Sequence, residues 1–561
     1  MTNSRKQTIV RSAMWAAYGD ALGFITELAD QRILKQRLST DKVTELTPWT
    51  RRIGGRFGVD ILLPSGCYSD DTQLRLATSR AIQATGEFDV EAFSKVELTV
   101  WISYALGAGR GTKLAAGSLA RKDSRWFSNF YSENDQSYVA SGGNGAAMRI
   151  QPHVWAARTP SDPKSYLPDV IRNAISTHGH PRAITGAVLH AMCLAYVLEK
   201  RAVLSPQDLR TFNSWTKKIP KLIGEDSYLR DFWIPRWEDL SKNTIANAFN
   251  EVFEEIEIEI SKVDEWFHKP GKNSYEELVA RLDLKNPSTR GSGTQTALAA
   301  AALSMLSSAR KPTDLLLSAA NLLGTDTDSI ASMAGALIGA TTDCDVPQYP
   351  QDSRLIEQDA ARLYQLSQVG TASAFSYPGL VGWVPPRSAV DAVIGEDGKL
   401  FVAGLGPAEP LTAATPTGSA RGDYVYQWIQ VAFGQRLFIK RRSDLTLGID
   451  SSSNRNNRLP ADAPLKESRS SIHSQNGDSE NTTVEIPVIE ATINDVASNR
   501  HVNLDDLTNE AIHSGFDPST IGTHVLQLAD SSGGIESVIA YSAIIAKARI
   551  SRVRRSGGRN K

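Results

Sequence analysis

Apolar residues recur at helical spacing through most of the first 365 residues. Several of the segments concerned, such as "SIASMAGALIGA", are rich in alanine and glycine, and small side chains let packed helices approach closely. Clear alternation of apolar and polar residues, which would indicate half-buried strands, is absent from this region. We therefore expect residues 1–365 to form one large helical domain. The segments with helical spacing are 8–24, 72–86, 91–106, 182–199, 294–309 and 326–340.

The pattern changes near residue 370. The stretches "SAVDAVIGEDGKLFVAGLG" and "GDYVYQWIQVAFGQRLFIKRR" are rich in β-branched and aromatic residues, and turn-forming "EDG" and "GP" interrupt them, so 371–447 is predicted to be a small β-rich module. Residues 448–484 are dominated by Ser, Asn, Asp and Arg, which predicts a disordered linker. Helical spacing returns afterwards. We expect 485–561 to be a helical C-terminal segment that ends in a basic tail, "RVRRSGGRNK".

The composition narrows the class of protein. A length of 561 residues indicates two to four domains, and a formal net charge of −1 creates no overall field for nucleic acid or acidic membranes. The three cysteines, Cys67, Cys193 and Cys344, have no paired spacing, which is typical of a reducing compartment. No apolar run looks long enough to span a bilayer. We expect a cytoplasmic protein with no membrane segment and no strong nucleic-acid signal.

Two acidic clusters stand out, "GCYSDDTQ" at 66–73 and "GTDTDSIAS" at 324–332. Each puts a hydroxyl residue and two carboxylates at the start of a predicted helix. One interpretation is that these residues only cap their helices, since acids are favourable in a first turn. The other is that both clusters together hold hard divalent cations, which prefer oxygen ligands. The second interpretation requires the fold to bring the two clusters together.

Five motifs in register resemble those of the ADP-ribosylglycohydrolase family. That family includes the dinitrogenase-reductase-activating glycohydrolases and the ADP-ribosyl-arginine and ADP-ribosyl-serine hydrolases. The resemblance covers about residues 8–365 and does not extend to the C-terminal third. The motifs are "GDALGFITE" (19–27), "GCYSDDTQ" (66–73), "GNGAAMR" (143–149), "THGHP" (177–181) and "GTDTDSIASMAGALIGA" (324–340).

The resemblance implies an all-α, orthogonally packed helical domain with two Mg²⁺ or Mn²⁺ ions in a central cleft. Ser329 stands where many members carry threonine, which keeps an oxygen ligand. By the same resemblance, Glu27 is the catalytic residue, facing the ions and handling a proton or the attacking water; a solvated glutamate at a helix end is the alternative. The implied metal ligands are Ser69, Asp70, Asp71, Asp326, Asp328 and Ser329.

Two glycine-rich loops and one histidine are the implied substrate-binding elements. Arg110 stands about where the nitrogenase-regulating branch carries an aspartate, and a guanidinium there suits a pyrophosphate. Asn144 has a turn residue as its alternative, and His178 a structural histidine. The implied substrate-binding residues are Gly109, Arg110, Gly111, Gly143, Asn144, Gly145 and His178.

Two neighbours of these motifs are left outside the site. Arg149 is interpreted as a structural salt-bridge former, and His180 as the residue before the Pro181 turn.

The implied reaction is hydrolysis at C1″ of the distal ribose, with release of ADP-ribose from a protein side chain, a nucleic acid or a small molecule. Two alternatives remain open. The first is a non-catalytic ADP-ribose reader or immunity-type binding protein that uses the same cleft. The second is a scaffold in which residues 371–561 recruit a protein partner. The linkage that is cleaved, the choice of ion and the oligomeric state do not follow from the sequence.

Overall fold

The computed structural model of the protein describes residues 2–55, 58–133, 135–269, 274–396, 399–417, 424–445, 504–530 and 534–557. The chain divides into two compact units, Met1–Ala463 and Pro464–Lys561, and we describe each by itself. The linker predicted at 448–484 lies outside the described residues. The division into four segments stays a prediction.

The first unit is built mainly from α-helices, which confirms the predicted fold class. A π-helical segment, Phe93–Glu97, joins α4 to α5, and another, Leu229–Trp233, leads into α12. The helices are α1 (Thr2–Thr26), α2 (Gln31–Leu38), α3 (Asp70–Arg80), α4 (Val90–Ala92), α5 (Leu98–Trp101), α6 (Arg110–Leu119), α7 (Gln151–Trp155), α8 (Leu167–Ile175), α9 (Pro181–Lys200), α10 (Pro206–Asn213), α11 (Ile219–Glu225), α12 (Ile234–Ser241), α13 (Ile245–Phe267), α14 (Tyr275–Arg281), α15 (Gly293–Met305), α16 (Pro312–Ala320), α17 (Thr327–Thr341) and α18 (Ser353–Val369).

Each segment with helical spacing contains a helix, although the ends differ. Helix α3 ends at Arg80, whereas the sequence predicted a helix as far as residue 86. Beyond α3, Ile82 pairs with Phe88 across a tight turn in which Gly86 has a φ of 90°. A left-handed backbone of this kind ends a helix, and glycine adopts it without steric cost.

Helices α1 and α17 pack with their backbones almost in contact. A methyl group on Gly19 would overlap the carbonyl of Ala331, and one on Gly23 would overlap the carbonyl of Thr327. Glycine is therefore needed at both positions, because any side chain would separate the helices. This packing holds the end of α1 directly beside the first turn of α17.

The helical domain also contains two β-hairpins, which corrects the expectation that it has no strands. Strand β1 (Trp49–Ile53) pairs antiparallel with β2 (Val59–Leu63), and the two-residue strands β3 (Ser132–Glu133) and β4 (Gln136–Ser137) form a smaller hairpin. The sequence "WTRRI" does not alternate between apolar and polar residues, so strand periodicity could not reveal β1.

An antiparallel sheet lies within the predicted β-rich module, as expected from its composition. Its order is β10-β9-β7-β6-β5, and β8 also pairs with β9. Its buried side chains, among them Leu400 and Ile429, belong to the same hydrophobic core as the helices. The strands are β5 (Val393–Glu396), β6 (Lys399–Val402), β7 (Gly406–Pro410), β8 (Thr415–Pro416), β9 (Tyr424–Val431) and β10 (Arg436–Arg442).

The sheet is tied to the chain that leads into the first acidic cluster. Arg436 on β10 donates from Nε to Oδ1 of Asp352 at 2.7 Å, and the Tyr68 hydroxyl donates to Oδ2 of the same carboxylate at 2.7 Å. Tyr68 and Asp352 are both buried. The residue immediately before Ser69 is thus held through Asp352 by the β-rich module.

Helix α9 corrects the expectation about membrane-spanning segments. In the described ranges it is the one helix that is long and apolar enough to cross a membrane by length and composition, with a mean hydropathy of 1.3 over its apolar window. However, 89% of that window is buried inside the first unit, as in a core helix.

The second unit is described by three helices, α19 (Leu504–His513), α20 (Pro518–Ala529) and α21 (Gly534–Gly557). They match the helical pattern predicted for this segment. A small core unites them, and a hydrogen bond of 2.7 Å joins Nδ1 of His524 on α20 to the Tyr541 hydroxyl on α21.

Candidate active site

The start of α3 shows which groups cap that helix. Ser69 is the N-cap residue, and its hydroxyl accepts from the Asp71 N–H at 3.2 Å. Asp20 on α1 accepts from the N–H groups of Ser69 and Thr72, each at 2.9 Å. Ser69 and Asp20 therefore cap α3, which is the role that one interpretation of the sequence gave to the paired acids. The carboxylates of Asp70 and Asp71 remain available for another role.

The first acidic pair is buried, and its hydrogen bonds do not neutralise it. Asp70 accepts from the Ala108 N–H at 2.6 Å through Oδ1. Asp71 accepts from the Ser69 hydroxyl through Oδ2 at 3.4 Å, and its Oδ1 is buried without a hydrogen-bond partner among the described residues. A buried carboxylate oxygen without a donor is costly unless a cation or another donor reaches it.

The second acidic cluster meets the first. Asp326 precedes α17, and Asp328 and Ser329 lie in its first turn. The Ser329 hydroxyl donates to Oδ2 of Asp71 at 3.2 Å and so joins segments that are 258 residues apart in sequence. The fold therefore brings together all six residues that the sequence resemblance assigned as metal ligands, although their role as ligands stays a prediction.

Negative charge is concentrated where the clusters meet. Burial raises the pKa of Asp70 to about 8, and the charge of Glu27 adds to the shift. Burial and neighbouring carboxylates also raise the pKa of Asp71 and of Asp328 well above the usual range. Among the described residues, the four aspartates of the two clusters form no ion pair with Lys or Arg within 4 Å, so a bound cation would relieve their repulsion.

The donor set fits a hard divalent cation, but the carboxylates are not gathered around one point. Within the described ranges, no three His, Cys, Asp or Glu side chains converge into a ready-made metal-binding group. Carboxylate and hydroxyl oxygens are nevertheless the ligands that Mg²⁺ and Mn²⁺ prefer. The buried Oδ1 of Asp71, which has no hydrogen-bond partner among the described residues, is the clearest structural observation in favour of a bound cation.

Glu27 lies just after the end of α1 and beside the acidic clusters. Its Oε2 accepts from Nη2 of Arg51 on β1 at 3.1 Å, and its side chain is 15% exposed. A Cβ on Gly107 would lie 2.7 Å from Oδ1 of Asp70 and 3.5 Å from Oε2 of Glu27, so both carboxylates face this loop. The structure thus contradicts a freely solvated helix-end glutamate.

Three of the predicted glycines surround His178. Cβ atoms on Gly111, Gly143 and Gly145 would lie 3.6, 3.8 and 3.3 Å from its Nε2. Asn144 lies between two of them and donates from Nδ2 to Asp326 Oδ2 at 3.0 Å. The glycine loop, the histidine and the second acidic cluster therefore form one continuous surface. Asn144 is a fixed bridge to the acids and not only a turn residue.

Gly109 and Arg110 lie further out, at the exposed start of α6. No heavy atom lies within 4 Å of a Cβ built on Gly109, which leaves room beside the loop. Arg110 makes no hydrogen bond or ion pair with the described part of the chain. The Ala108 N–H of the same loop donates to Asp70, so this loop borders the first acidic cluster.

Comparisons with known proteins identify the family of the chain. The model of the ADP-ribosylglycohydrolase family matches residues 1–371. The chain belongs to the ADP-ribosylglycohydrolase family. The resemblance inferred from the five motifs is thereby confirmed.

Two individual proteins are similar to this family member. An ADP-ribosyl-[dinitrogen reductase] glycohydrolase from Rhodospirillum rubrum is 29% identical over 165 residues, which are 29% of this chain and 49% of that protein. The alignment therefore spans about half the length of that relative. A solved structure described as an ADP-ribosylglycohydrolase-related protein complex is 19% identical, with a TM-score of 0.41; the match covers 65% of this chain and 100% of that one.

Arg149 of this ADP-ribosylglycohydrolase family member is not the salt-bridge former expected from the sequence. It is fully buried and forms no ion pair among the described residues. Its guanidinium donates to the Gly145 carbonyl at 2.9 Å, to Asn173 Oδ1 at 2.8 Å and to the Thr177 hydroxyl at 2.8 Å. Burial lowers the pKa of Arg149 to about 9, while the charge of Asp70 opposes that shift. Arg149 thus holds the glycine loop and the histidine segment together.

The same contacts reach the ring of His178. Because the Thr177 hydroxyl oxygen accepts from Arg149, its own hydrogen is free to point at His178 Nδ1, 2.7 Å away. Burial and the Arg149 charge lower the pKa of His178 to about 3, so the ring is neutral. In the tautomer whose Nδ1 accepts from Thr177, the proton is on Nε2, which faces the glycine loop.

Two further residues complete the surroundings of the site. Asp20 was not among the predicted site residues, yet it caps α3 from α1; an acid within the apolar stretch "GDALG" was the available signal. His180 accepts from the Arg182 N–H through Nδ1 at 3.1 Å and caps α9 before Pro181, in line with its predicted position at that turn.

Proposed function

We propose that this chain hydrolyses the bond at C1″ of the distal ribose and releases ADP-ribose from a modified target, using two divalent cations, Mg²⁺ or Mn²⁺. The observation that carries this proposal is the contact between Ser329 and Asp71, which joins two acidic helix starts beside a glycine loop and a neutral histidine. A binding protein would need the loop and the histidine, but not a buried group of mutually repelling carboxylates.

The names of relatives support the class of substrate. The Rhodospirillum rubrum relative is named for removing ADP-ribose from dinitrogen reductase, a protein target. We therefore favour an ADP-ribosylated protein side chain as the substrate, with an ADP-ribose-containing small molecule as the alternative source of the same group. Residues 371–561 remain a candidate surface for recognising a protein partner.

The acidic clusters would hold the ions, with Ser69 and Ser329 as neutral oxygen ligands beside the four aspartates. When bound, divalent cations supply Lewis-acid stabilisation and make a bound water more acidic. Cleavage at C1″ has an oxocarbenium-like transition state, so a precisely held ribose lowers the barrier. The carboxylates themselves orient the sugar by accepting from its hydroxyl groups.

The remaining residues bind the ADP-ribose group and accept a proton from the attacking water. The backbone N–H groups near Gly143 and Gly145 approach a phosphate or ribose closely, because no side chain intervenes. His178 donates from Nε2 to a ribose oxygen. Glu27, whose side chain is oriented by its contact with Arg51, accepts a proton from the attacking water. Arg110, exposed at the start of α6, pairs with the pyrophosphate.

Release of free ADP-ribose from arginine-, serine- and nucleobase-linked substrates tests this proposal. We expect release from one linkage in Mg²⁺ or Mn²⁺, none in EDTA, and at least a hundredfold loss in Asp326→Ala, since several kcal/mol of stabilisation correspond to about two to three orders of magnitude. The control variant Asp123→Ala removes an exposed acid and should keep full activity. Intact ADP-ribose binding without release from any substrate would instead establish a non-catalytic reader.

Gly145→Ala tests the histidine and the glycine loop. Its Cβ would lie 2.6 Å from the Thr112 hydroxyl and 3.0 Å from His178 Cε1, so the ring must move. We expect the affinity for ADP-ribose, measured by calorimetry, to fall at least about tenfold, which is about 1.4 kcal/mol. Gly117→Ala on α6 is the matched control, because no atom lies within 4 Å of its Cβ. Equal affinities for the two variants would remove His178 from the binding site.

A further inference from the structure

The helix α21 has one apolar face that is buried within the second unit. Tyr541 is fully buried and Ile545 is 6% exposed; both belong to the small core that α21 forms with α19 and α20. Val538 and Ala548 extend this face by a turn in each direction and pack against the same core. These positions have the spacing of a single helix face, which is the one that the unit itself covers.

The opposite face of α21 is also apolar, and it is exposed. Ile539 is 56% exposed and Ile544 38%, and Ala540 and Ala543 between them are exposed as well. Residues three or four apart adjoin on a helix surface, so these side chains form a continuous patch, the outer stripe. Scattered apolar residues are ordinary on a protein surface, whereas a contiguous apolar patch is typical of a contact surface. The proposed function does not use the outer stripe.

The sequence of the outer stripe reads the same from both ends. Isoleucine stands at each end and alanine on the inside, and a charged residue follows one turn beyond each isoleucine, with opposite signs at the two ends. Helical spacing alone places these charged residues in line with the stripe, because they are three positions from the isoleucines. In chain order the residues are Glu536, Ile539, Ala540, Ala543, Ile544 and Lys547.

This symmetry fits a second copy of the same chain. A twofold contact is self-complementary: where residue i of one copy faces residue j of the other, residue j also faces residue i. Two antiparallel α21 helices, centred between residues 541 and 542, satisfy this condition along the whole outer stripe. Ile539 then faces Ile544 of the second copy, and Ala540 faces Ala543. The alanines let the two backbones approach, and the isoleucines pack on either side of them.

The charges favour the antiparallel arrangement. In that register Glu536 of each copy is opposite Lys547 of the other, so both ends of the contact gain an attraction. A parallel pair would place Glu536 against Glu536 and Lys547 against Lys547, and like charges in contact weaken association. An unrelated partner has no need of a stripe with this internal symmetry. The occupant that matches the outer stripe is therefore a second copy of this chain.

We propose that this chain self-associates through the outer stripe of α21, in an antiparallel, twofold pair of helices. The contact extends over about 17 Å of helix, from residue 536 to residue 547 at about 1.5 Å for each residue. A single pair of helices buries less area than a standard protein interface, so the association is weak and depends on concentration. The proposal goes beyond the proposed function, because it concerns assembly and holds whether or not the chain releases ADP-ribose.

Sedimentation velocity of the full chain, from about 1 μM to about 300 μM, measures the self-association. We expect a reversible monomer–dimer equilibrium. Ile539→Gln and Ile544→Gln should each weaken it at least about tenfold, because each change occurs twice in the contact. Ile258→Gln, at an exposed isoleucine of α13 in the first unit, is the matched control and should leave it unchanged. A chain that stays monomeric at every concentration, or a dimer that the two stripe variants do not weaken, overturns the proposal.

Charge reversal tests the antiparallel register. Glu536→Lys or Lys547→Glu alone brings like charges together at both ends and should weaken the association at least about threefold. An equimolar mixture of the two single variants restores opposite charges at both ends, so it should associate at least as tightly as the unaltered protein. Such a recovery excludes a folding defect as the cause of the loss, since neither variant is altered further. Single variants that associate normally, or a mixture that does not recover, overturn the proposal.

Discussion

Asp71→Asn is expected to stabilise the metal-free protein and to abolish ADP-ribose release. Burial and, after it, the neighbouring carboxylates raise the pKa of Asp71, and its Oδ1 has no partner among the described residues. Replacing a buried, unpaired charge by a neutral amide removes this repulsion. We expect the free energy of unfolding in EDTA to rise by about 1 to 3 kcal/mol, as measured by urea titration. Functional residues commonly show this trade-off, in which a substitution raises stability and lowers activity.

ADP-ribose release and the stabilisation by Mg²⁺ should both fall in Asp71→Asn, although the metal-free variant becomes more stable. Mg²⁺ should raise the melting temperature of the unaltered protein, and Asp71→Asn should remove most of that rise along with ADP-ribose release. Asp123→Asn, an exposed acid, serves as the control and should change neither quantity. An Asp71→Asn protein that is less stable in EDTA, or fully active in Mg²⁺, would contradict the assignment of Asp71 as a ligand.

Arg149→Met is expected to cause the largest loss of stability, at least about 4 kcal/mol in urea unfolding. Arg149 is fully buried, and its guanidinium satisfies the Gly145 carbonyl together with acceptors on Asn173 and Thr177. Methionine fills a similar volume but leaves each acceptor buried without a donor. ADP-ribose affinity should fall as well, because the glycine loop and His178 lose their common support.

Two further variants separate loss of charge from loss of geometry. Arg149→Lys keeps a cation but not the planar fork, so it should recover less than half of the lost stability. Arg354→Met removes an exposed guanidinium and should change stability by no more than about 0.5 kcal/mol. If Arg149→Met were as stable as Arg354→Met, the hydrogen bonds of Arg149 would make no net contribution to the free energy of unfolding.

The sequence could point to the two acidic clusters as a candidate metal site because each cluster is a short, local motif. A hydroxyl and two carboxylates at a helix start can be recognised in eight residues, and family motifs placed both clusters in one site. Capping and metal binding could not be separated at that level. Asp20, which lies on another helix, takes the N–H groups of Ser69 and Thr72, and this contact decides that the paired acids are not the caps.

The support of the site could not be predicted in the same way. Arg149 was interpreted as a structural salt-bridge former, since no sequence pattern tells a buried guanidinium that binds neutral acceptors from one that forms an ion pair. The sequence predicted a small β-rich module at 371–447 but no contact between it and the site. In the structure, Arg436 on β10 holds Asp352, which binds Tyr68 next to the first acidic cluster. Deleting the module would therefore disturb the candidate site directly.

The sequence by itself determined the family, the mainly helical class and the β-rich module, and it predicted the residues of the candidate site. These depend on periodicity and on short motifs, which are properties of neighbouring residues. Only the tertiary structure decided that Ser329 meets Asp71, that His178 is neutral and that Glu27 is paired with Arg51. Burial and charge at these positions come from segments that lie far apart in the chain, so they exist only once the helices have packed.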